Sequence, residues 1–403
     1  MSAMPPKALV IGLLWTQFSA YHVDRLEAVG RRMDGRARVL AVEVSASSKV
    51  YAWEPSGEVR GTEKVQLFHG QVYETISPLR RFWRQLRALR RCDVAFIGVA
   101  YSEPDVILLA FALRFLGVKV VMMTASKFDD RPRKALKEFL KSLVLASYHA
   151  AIVGGCRQHD YVRFLGFDNR RVLPGYNTVS MQRVREQARE APETAFADRA
   201  FIFVGRFVDK KNIETMLEAY AAYVRSAGTR ARPLVMIGDG PLRPALDRMC
   251  DQLGIAGQVQ FAGFLSAPQV SRRLAAGLAL VLVSAEEQWG LVINEAVAVG
   301  LPVIASFEVG ARGALVCNLL NGFIVESNSA PSITLALSRI GANEDAWRKM
   351  SAHSIGLNWL ADTERFADAV ELMVDPRAEP ARANHARFED AIFAEASEIA
   401  PEA

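Results

Sequence analysis

The chain has 403 residues, of which 51 % are hydrophobic and 23 % are charged, and its formal net charge is +5. This composition excludes a disordered or fibrous chain, and the length exceeds what a single hydrophobic core usually supports, so we expect two domains. The four cysteines are far apart, which indicates buried thiols in the reducing cytoplasm, and no apolar run has the length of about 18 residues that a membrane span needs.

In chain order, short apolar runs alternate with helical patterns. Residues 7–15 fit a short signal peptide or a first buried strand, and the alternation that follows favours the strand. Strands are predicted at 8–14, 39–44, 94–99, 119–123 and 150–153, and helices at 23–33 and 106–116. Apolar strands separated by helices are typical of a parallel, doubly wound sheet.

A polar segment without periodicity, 183–199, reads as a linker, after which the alternation starts again. Strands are predicted at 200–204, 233–237, 259–262, 278–283 and 302–305, and helices at 213–226 and 242–253. A helix is expected over 363–373, followed by a weakly ordered end. The predicted domains are therefore 1–185 and 198–362, with a tail over 363–403.

The most informative segment of the second half is Glu287-Gln288-Trp289-Gly290-Leu291-Val292-Ile293-Asn294-Glu295. It places a carboxylate between a strand and a helix, at the sheet edge where α/β proteins bind ligands. The free N–H groups of a helix start suit a phosphate. Glu295 follows within an almost wholly apolar helix, and a buried carboxylate needs a partner. The alternative is that Glu287 only offsets the helix dipole and that Glu295 is solvated.

Two cations follow the first predicted strand of the second half. Arg206 and Lys211 lie in the loop after Gly205, where an arginine fork and a lysine point charge can clamp a diphosphate. The alternative is a pair of solvated loop cations. The carboxylate pair expected at the same sheet edge favours the diphosphate site.

Five motifs occur in order over residues 198–330: Gly205-Arg206 with Lys211, the Gly238-Asp239-Gly240 turn, Phe261-Ala262-Gly263-Phe264-Leu265, Glu287 to Glu295, and Asn321-Gly322. Together they resemble glycosyltransferase family 4, whose members are retaining enzymes of the GT-B fold. The resemblance implies an α/β chain with two Rossmann-like, doubly wound parallel-sheet domains that face each other across a cleft.

The resemblance also implies roles for particular residues. Glu287 would contact hydroxyls of the donor sugar, and Glu295 would hold the ribose. Arg206 and Lys211 would neutralise the leaving diphosphate. Backbone N–H groups of Gly290, Leu291 and Val292 would bind the same diphosphate, and the turns at Gly238 and Phe264 would line the base pocket, although a turn that merely requires glycine is an equal alternative.

No Asp-x-Asp motif occurs in the chain. We therefore expect no metal site and no cofactor, with cationic side chains and a helix dipole in place of a metal ion.

Many members of the family carry a pair of glycines in the first strand-helix loop and a histidine after the strand that corresponds to 119–123. The first half of this chain has neither. Acceptor contacts are assigned there to Trp15, His22, Ser126 and Asp130. His22 fits a structural helix start slightly better, and for Asp130 a helix-capping role is an equal alternative.

A basic stretch, 78–91, holds six arginines and no acid, with apolar residues at helical spacing, and 131–141 adds five more cations. Such helices suit an anionic membrane surface, and a core-facing helix with a solvated basic back is an equal alternative. Nucleic acid is not an expected partner, because no recognised binding module surrounds the patches.

The resemblance thus implies a retaining hexosyltransferase, and the sequence predicts that it is cytoplasmic, with a peripheral position on the inner leaflet as an option. Its partners would be a nucleotide-sugar donor, UDP-linked, and a lipid-linked glycan or glycolipid acceptor in cell-envelope synthesis. A nucleotide-sugar 2-epimerase and a non-catalytic nucleotide-binding protein remain alternatives. A dinucleotide-dependent dehydrogenase is disfavoured, because no Gly-x-Gly-x-x-Gly follows the first strand.

Overall fold

The computed structural model describes residues 9–49 and 56–398, which form two compact units. The first unit holds the chain up to Phe128, Pro132–Thr178 and Thr363–Asp390. The second holds Asp129–Arg131, Val179–Asp362 and, within the described range, residues 391–398.

The described residues contain thirteen strands and fifteen α-helices. The strands are β1 Leu9–Trp15, β2 Ala37–Ser47, β3 Glu63–Val72, β4 Val94–Ile97, β5 Lys119–Thr124, β6 Ala150–Val153, β7 Val172–Pro174, β8 Phe201–Val204, β9 Leu234–Ile237, β10 Val259–Gly263, β11 Ala279–Leu282, β12 Val303–Ser306 and β13 Gly322–Val325. The helices are α1 Ala20–Arg32, α2 Pro78–Leu89, α3 Pro104–Phe115, α4 Ala135–Leu145, α5 Cys156–Phe164, α6 Met181–Ala188, α7 Ile213–Ala227, α8 Arg243–Gln252, α9 Ala267–Ala275, α10 Leu291–Ala298, α11 Ala330–Ala342, α12 Glu344–Gly356, α13 Asn358–Ala361, α14 Glu364–Val374 and α15 Glu379–Glu398.

Each unit is built on one parallel sheet. The first has the strand order β3-β2-β1-β4-β5-β6-β7 and the second the order β10-β9-β8-β11-β12-β13. Central strands such as β4, β6 and β11 are buried along their whole length, because helices cover both faces. The expected pair of doubly wound α/β domains is confirmed.

The predicted linker is partly a helix. Ser180 caps α6 by accepting a hydrogen bond from the Arg183 N–H at 3.1 Å, and Met181 and Val184 are buried. The Arg185 guanidinium donates to the carbonyl of Ala298 at 3.2 Å. The helix therefore belongs to the second unit, whose long segment begins at Val179, within the predicted first domain of 1–185.

The end of the chain also differs from the expectation of a weakly ordered tail. The predicted helix at 363–373 is α14, and it packs on α1 within the first unit. The Arg32 guanidinium there contacts the carboxylates of Glu364 at 2.6 Å and Asp368 at 2.5 Å. Residues 379–398 form α15. The last five residues of the predicted tail and residue 8, the first of the predicted strand 8–14, lie outside the described residues.

Strand β3 has no counterpart in the prediction. It lies at the edge of the first sheet, where one side of the strand is unpaired, and its sequence, Glu63 to Val72, carries polar residues that hide a strand pattern. Within 9–49 and 56–398, no helix combines the length and the apolar character needed to cross a bilayer.

Candidate functional site

The carboxyl ends of β8 and β11 meet in the second unit, because these two strands are neighbours in the sheet. In the chain they are separated by two strands and three α-helices. Here the strand order reverses, and such a switch point is where open α/β sheets bind ligands. The loop that follows β8 carries Arg206 and Lys211, and the loop that follows β11 carries Glu287. Topology thus brings residues about 80 positions apart to one edge.

Lys211 and Glu287 form an ion pair between Nζ and Oε2. Their side chains are only 15 % and 16 % exposed, so the pair is largely withdrawn from water. The backbone sets this approach: the N–H of Ala285 donates to the carbonyl of Lys210 at 2.9 Å, which joins the two loops. The structure therefore brings together two of the three residues predicted to be catalytic.

Asn212 holds the lysine loop in place, and sequence reasoning missed it. Its backbone is left-handed, with φ of 53°, where asparagine is tolerated better than most residues. Its side-chain amide donates to the carbonyls of Val283 at 3.1 Å and Ser327 at 2.6 Å. A short polar residue just before a helix was the signal available, because such residues satisfy local backbone groups.

Gly290 ends the glutamate loop and begins α10. Its φ is +93°, and a Cβ there would lie 2.8 Å from the side chain of Leu282, so both the backbone angle and the space require glycine. The N–H groups of Leu291 and Val292 then stand in the first turn, where a helix offers donors without intrahelical partners. These are the predicted diphosphate donors, and their role stays a prediction.

Glu295 lies in the middle of α10 and is only 3 % exposed, which confirms its expected burial. The helix is anchored next to it by the indole N–H of Trp289, which donates to Asn294 Oδ1 at 2.9 Å. The Asn294 amide in turn donates to the carbonyl of Ala361 at 3.4 Å. Contact of Glu295 with a ribose stays a prediction.

The turns after β9 and β10 continue the same sheet edge. Gly238 has φ of +125°, and a Cβ there would lie 2.0 Å from the carbonyl oxygen of Gly205. Only glycine therefore lets the turn after β9 contact the turn after β8. Phe264 follows β10 and is 67 % exposed. With a spacing of about 4.8 Å between strands, β10 to β11 spans roughly 14 Å, so the predicted donor residues form one continuous row.

Arg206 is exposed, in contrast to Lys211. The structure places it at the start of the same loop. Glu308, after β12, is a further residue that the sequence did not reveal: among the described residues its Oε2 is buried and makes no hydrogen bond. Ser306 in this region donates to the carbonyl of Ser284 at 2.6 Å, which ties β12 to the glutamate loop.

In the first unit, Trp15 is a core residue and not an exposed contact, which corrects the expectation for it. It is 2 % exposed, and its indole N–H donates to the Tyr176 hydroxyl at 2.9 Å. It ends β1 and packs against Gly98, where a Cβ would lie 2.2 Å from the indole nitrogen. Its large apolar ring packs in the core, so almost none of the side chain is accessible to an acceptor.

His22 closes the start of α1, the structural role that the sequence slightly favoured. Its Nδ1 accepts a hydrogen bond from the N–H of Ser19 at 3.0 Å and lies 2.9 Å from the Ser19 hydroxyl. Burial, and then the charge of Arg25, hold the pKa of His22 well below its usual value. The imidazole is therefore neutral, as an accepting Nδ1 requires.

Ser126 and Asp130 follow the carboxyl end of β5. Ser126 is half-buried, and its N–H donates to the Thr124 hydroxyl at 3.1 Å. Asp130 ends the 3₁₀ turn Phe128–Asp130 and is 8 % exposed. Their roles as acceptor contacts stay predictions.

Residues 184–355 match the family model described as "Glycosyl transferases group 1". The chain is 32 % identical over 194 residues to the D-inositol 3-phosphate glycosyltransferase of Gordonia bronchialis, which covers 45 % of this chain and 40 % of that protein. It is 33 % identical over 140 residues to the lipopolysaccharide core biosynthesis glycosyltransferase LpsE of Rhizobium meliloti, which covers 35 % of this chain and 38 % of LpsE. The chain thus spans about two fifths of the length of these relatives.

A solved structure shares the fold over most of the chain. Anabaena HepE in complex with UDP and glucose superimposes with a TM-score of 0.68 at 14 % identity, covering 91 % of this chain and 100 % of HepE. At this identity the likeness establishes the fold. The chain therefore has the GT-B fold, and most of its second unit matches the group 1 glycosyl transferases.

Proposed function

We propose that the chain is a retaining glycosyltransferase that moves a hexose from a UDP-sugar to a lipid-linked glycan or glycolipid in cell-envelope synthesis. The observation that carries this is the Lys211–Glu287 ion pair at the switch point, beside the start of α10. Names of relatives support it, because one acts in lipopolysaccharide core biosynthesis and the structural neighbour HepE was solved with UDP and glucose.

The residue types suit the breaking of a bond between a sugar and a diphosphate. Negative charge grows on the leaving diphosphate, and preorganised donors lower the barrier more than solvent does. In the free site Glu287 neutralises Lys211. A bound diphosphate would take over the lysine, which frees the Glu287 carboxylate to accept hydrogen bonds from the sugar. Retention of the anomeric configuration comes from the family resemblance alone.

Metal independence is part of the same proposal. Two cations and the dipole of α10 would supply the positive charge that a divalent ion supplies elsewhere. Transfer measured after exhaustive chelation should keep its rate. Loss of transfer on chelation, with recovery on adding Mg²⁺, would contradict this part of the proposal.

The test of the proposed activity is transfer from a panel of nucleotide sugars. Arg206→Ala should lower turnover by ~10²-fold or more at saturating donor, as removal of one charge-stabilising donor does elsewhere. Arg248→Ala removes another exposed arginine, on α8, and should leave turnover unchanged. Turnover of Arg206→Ala within tenfold of wild type would refute the role.

The alternative functions separate in the same assay. A 2-epimerase would convert the donor sugar without any acceptor, and a binding protein would give neither reaction. For a transferase, Glu287→Ala should abolish transfer while circular dichroism shows an intact fold. Transfer that survives this change would remove Glu287 from the site.

We further propose that the first unit docks on an anionic membrane surface, and α4 supports this. Four large apolar side chains at helical spacing, Leu136, Phe139, Leu140 and Leu143, are 70 %, 59 %, 52 % and 53 % exposed. The inward face instead carries a charged residue next to the buried Leu145. Glu138 is 6 % exposed, and its carboxylate accepts hydrogen bonds from Lys141 at 2.8 Å and Tyr161 at 2.7 Å. This apolar stripe faces away from the core.

Cations flank the stripe and supply charge complementarity to anionic lipid. Lys134, just before α4, and Lys137, on α4, are both exposed. In α2, Leu79 and Trp83 are 62 % and 59 % exposed among exposed arginines. Arg81 is the exception: it is buried and paired with Asp105 at 2.7 Å, so the basic surface of α2 is smaller than the sequence predicted.

Co-sedimentation with vesicles tests the docking. Leu136→Ser/Phe139→Ser should weaken binding to anionic vesicles at least tenfold. Each apolar side chain that becomes half-buried in the membrane contributes about 1 kcal/mol to binding. Leu335→Ser, on α11, removes a side chain that is 59 % exposed in the second unit and should change nothing. Wild-type protein that fails to bind anionic vesicles at low salt would refute the proposal.

A further inference from the structure

A cavity of about 500 Å³ lies in the first unit, at the edge of the sheet where β5, β6 and β7 begin. Its other walls are the ends of α3 and α14. Ligands of α/β sheets bind at the carboxyl edge, so this cavity is separate from the loops after β1 and β5 that hold the predicted acceptor residues. The polar side chains that line it are Arg114, Lys119, His149, Arg170 and Arg171.

The lining carries three arginines, one lysine and no carboxylate. Lys119 has a structural partner, because its Nζ donates to the carbonyl of Met373 at the end of α14. Arg114, Arg170 and Arg171 are exposed, and in the described part of the chain their guanidinium groups form no ion pair. Water solvates their charges, but three arginines around one cavity still create a local positive potential that attracts an anion.

The pKa of His149 shows the effect of the positive charges around the cavity. Its Nδ1 accepts a hydrogen bond from the N–H of Val120 at 3.0 Å, which leaves Nε2 as the atom that carries the proton in the neutral ring. Burial lowers the pKa of His149, and the charges of Arg114, Lys119 and Arg171 lower it further. Cations from three elements, α3, β5 and the turn before β7, therefore act on one imidazole.

We propose that this cavity binds a small organic anion with at least two phosphate charges. Arginine forks match phosphate oxygens in pairs, and the Nε2–H of His149 adds a donor. The volume exceeds what a lone phosphate needs and lies in the range of about 300–1,000 Å³ typical of small-molecule sites. Leu173 and Met373 supply apolar wall for the organic part.

The experiment is NMR on the full chain with ¹³C-labelled histidine. A His149→Gln variant identifies the His149 signal among the signals of the six histidines. Inorganic pyrophosphate should raise the pKa of His149 by about one unit, because a bound anion offsets the arginine charges. In Arg114→Ala/Arg171→Ala the pKa should start higher and should no longer respond. Arg90→Ala/Arg91→Ala removes two exposed arginines elsewhere in the first unit and should respond like wild type.

Three further arms decide the source and the specificity. Sodium chloride at matched ionic strength should give less than a quarter of the shift, and an equal shift would overturn the proposal as mere screening. Vesicles of phosphatidic acid that reproduce the shift would assign the phosphate to a lipid headgroup, and a response to pyrophosphate alone would assign it to a soluble anion. No shift with either probe at millimolar concentration would overturn the proposal.

Discussion

The Lys211–Glu287 ion pair gives the sharpest test of the donor site, because its energetic effect can be measured without a substrate. In Lys211→Met the Glu287 carboxylate stays in a setting that is only 16 % exposed and loses its counter-charge. In Glu287→Gln the lysine loses its partner in the same way. Each single change should destabilise the protein, and the two losses should not add.

The magnitude follows from burial. Two opposite charges in contact attract by about 4 kcal/mol at an effective dielectric of 20, and desolvation offsets much of this. Because both side chains keep some contact with water, we expect a coupling free energy of about 1–3 kcal/mol. The pair would thus exceed a surface salt bridge, which contributes about 0–1 kcal/mol.

The assay is urea-induced unfolding of wild type, Lys211→Met, Glu287→Gln and the double variant. Lys210→Met is the matched control: its side chain is exposed, so the free energy of unfolding should change by less than about 0.5 kcal/mol. A coupling free energy below about 0.5 kcal/mol would show that the two groups do not interact in solution, and the site would then lose its central feature.

Three other predictions concern the frame of the site and the core. Gly290→Ala should lower the free energy of unfolding by about 1–2 kcal/mol and weaken donor binding, because φ at this residue is +93°. The control is Gly257→Ala, where the added methyl group meets open space. It should change neither the unfolding measured by calorimetry nor the donor affinity measured by titration. Asn294→Ala removes the acceptor of the Trp289 indole and should cost about 1–3 kcal/mol, and an unchanged urea midpoint would contradict this. Burial, and then Asp93, raise the pKa of Cys92 to about 12, so the folded state keeps the proton that the unfolded thiol loses near pH 9.0. The free energy of unfolding should therefore fall as the pH rises from about 9 to about 12. If the urea midpoint of a Cys92→Ala variant fell as steeply with pH as that of wild type, the Cys92 thiol would not be the cause.

The placement of the candidate donor residues was predictable because its signals are local. Glu287, Gly290 and Glu295 lie within nine consecutive residues, and a strand, a glycine and an apolar helix fix where each one falls. The same holds for Arg206 and Lys211 after β8. What the sequence did not reveal was the pairing itself, since contact between Lys211 and Glu287 depends on β8 and β11 being neighbours, and strand order is a property of the whole sheet.

The first unit was harder for a physical reason that α4 makes plain. A helix with apolar residues at positions 136, 139, 140 and 143 is normally interpreted as one that packs those residues on the core. Here Glu138 takes the core-facing position, satisfied by Lys141 and Tyr161, and the apolar stripe is left outside. Periodicity reveals that a helix has two faces but not which face is inward. That choice depends on partners far along the chain, and so exposed apolar surface is found only once the fold is known.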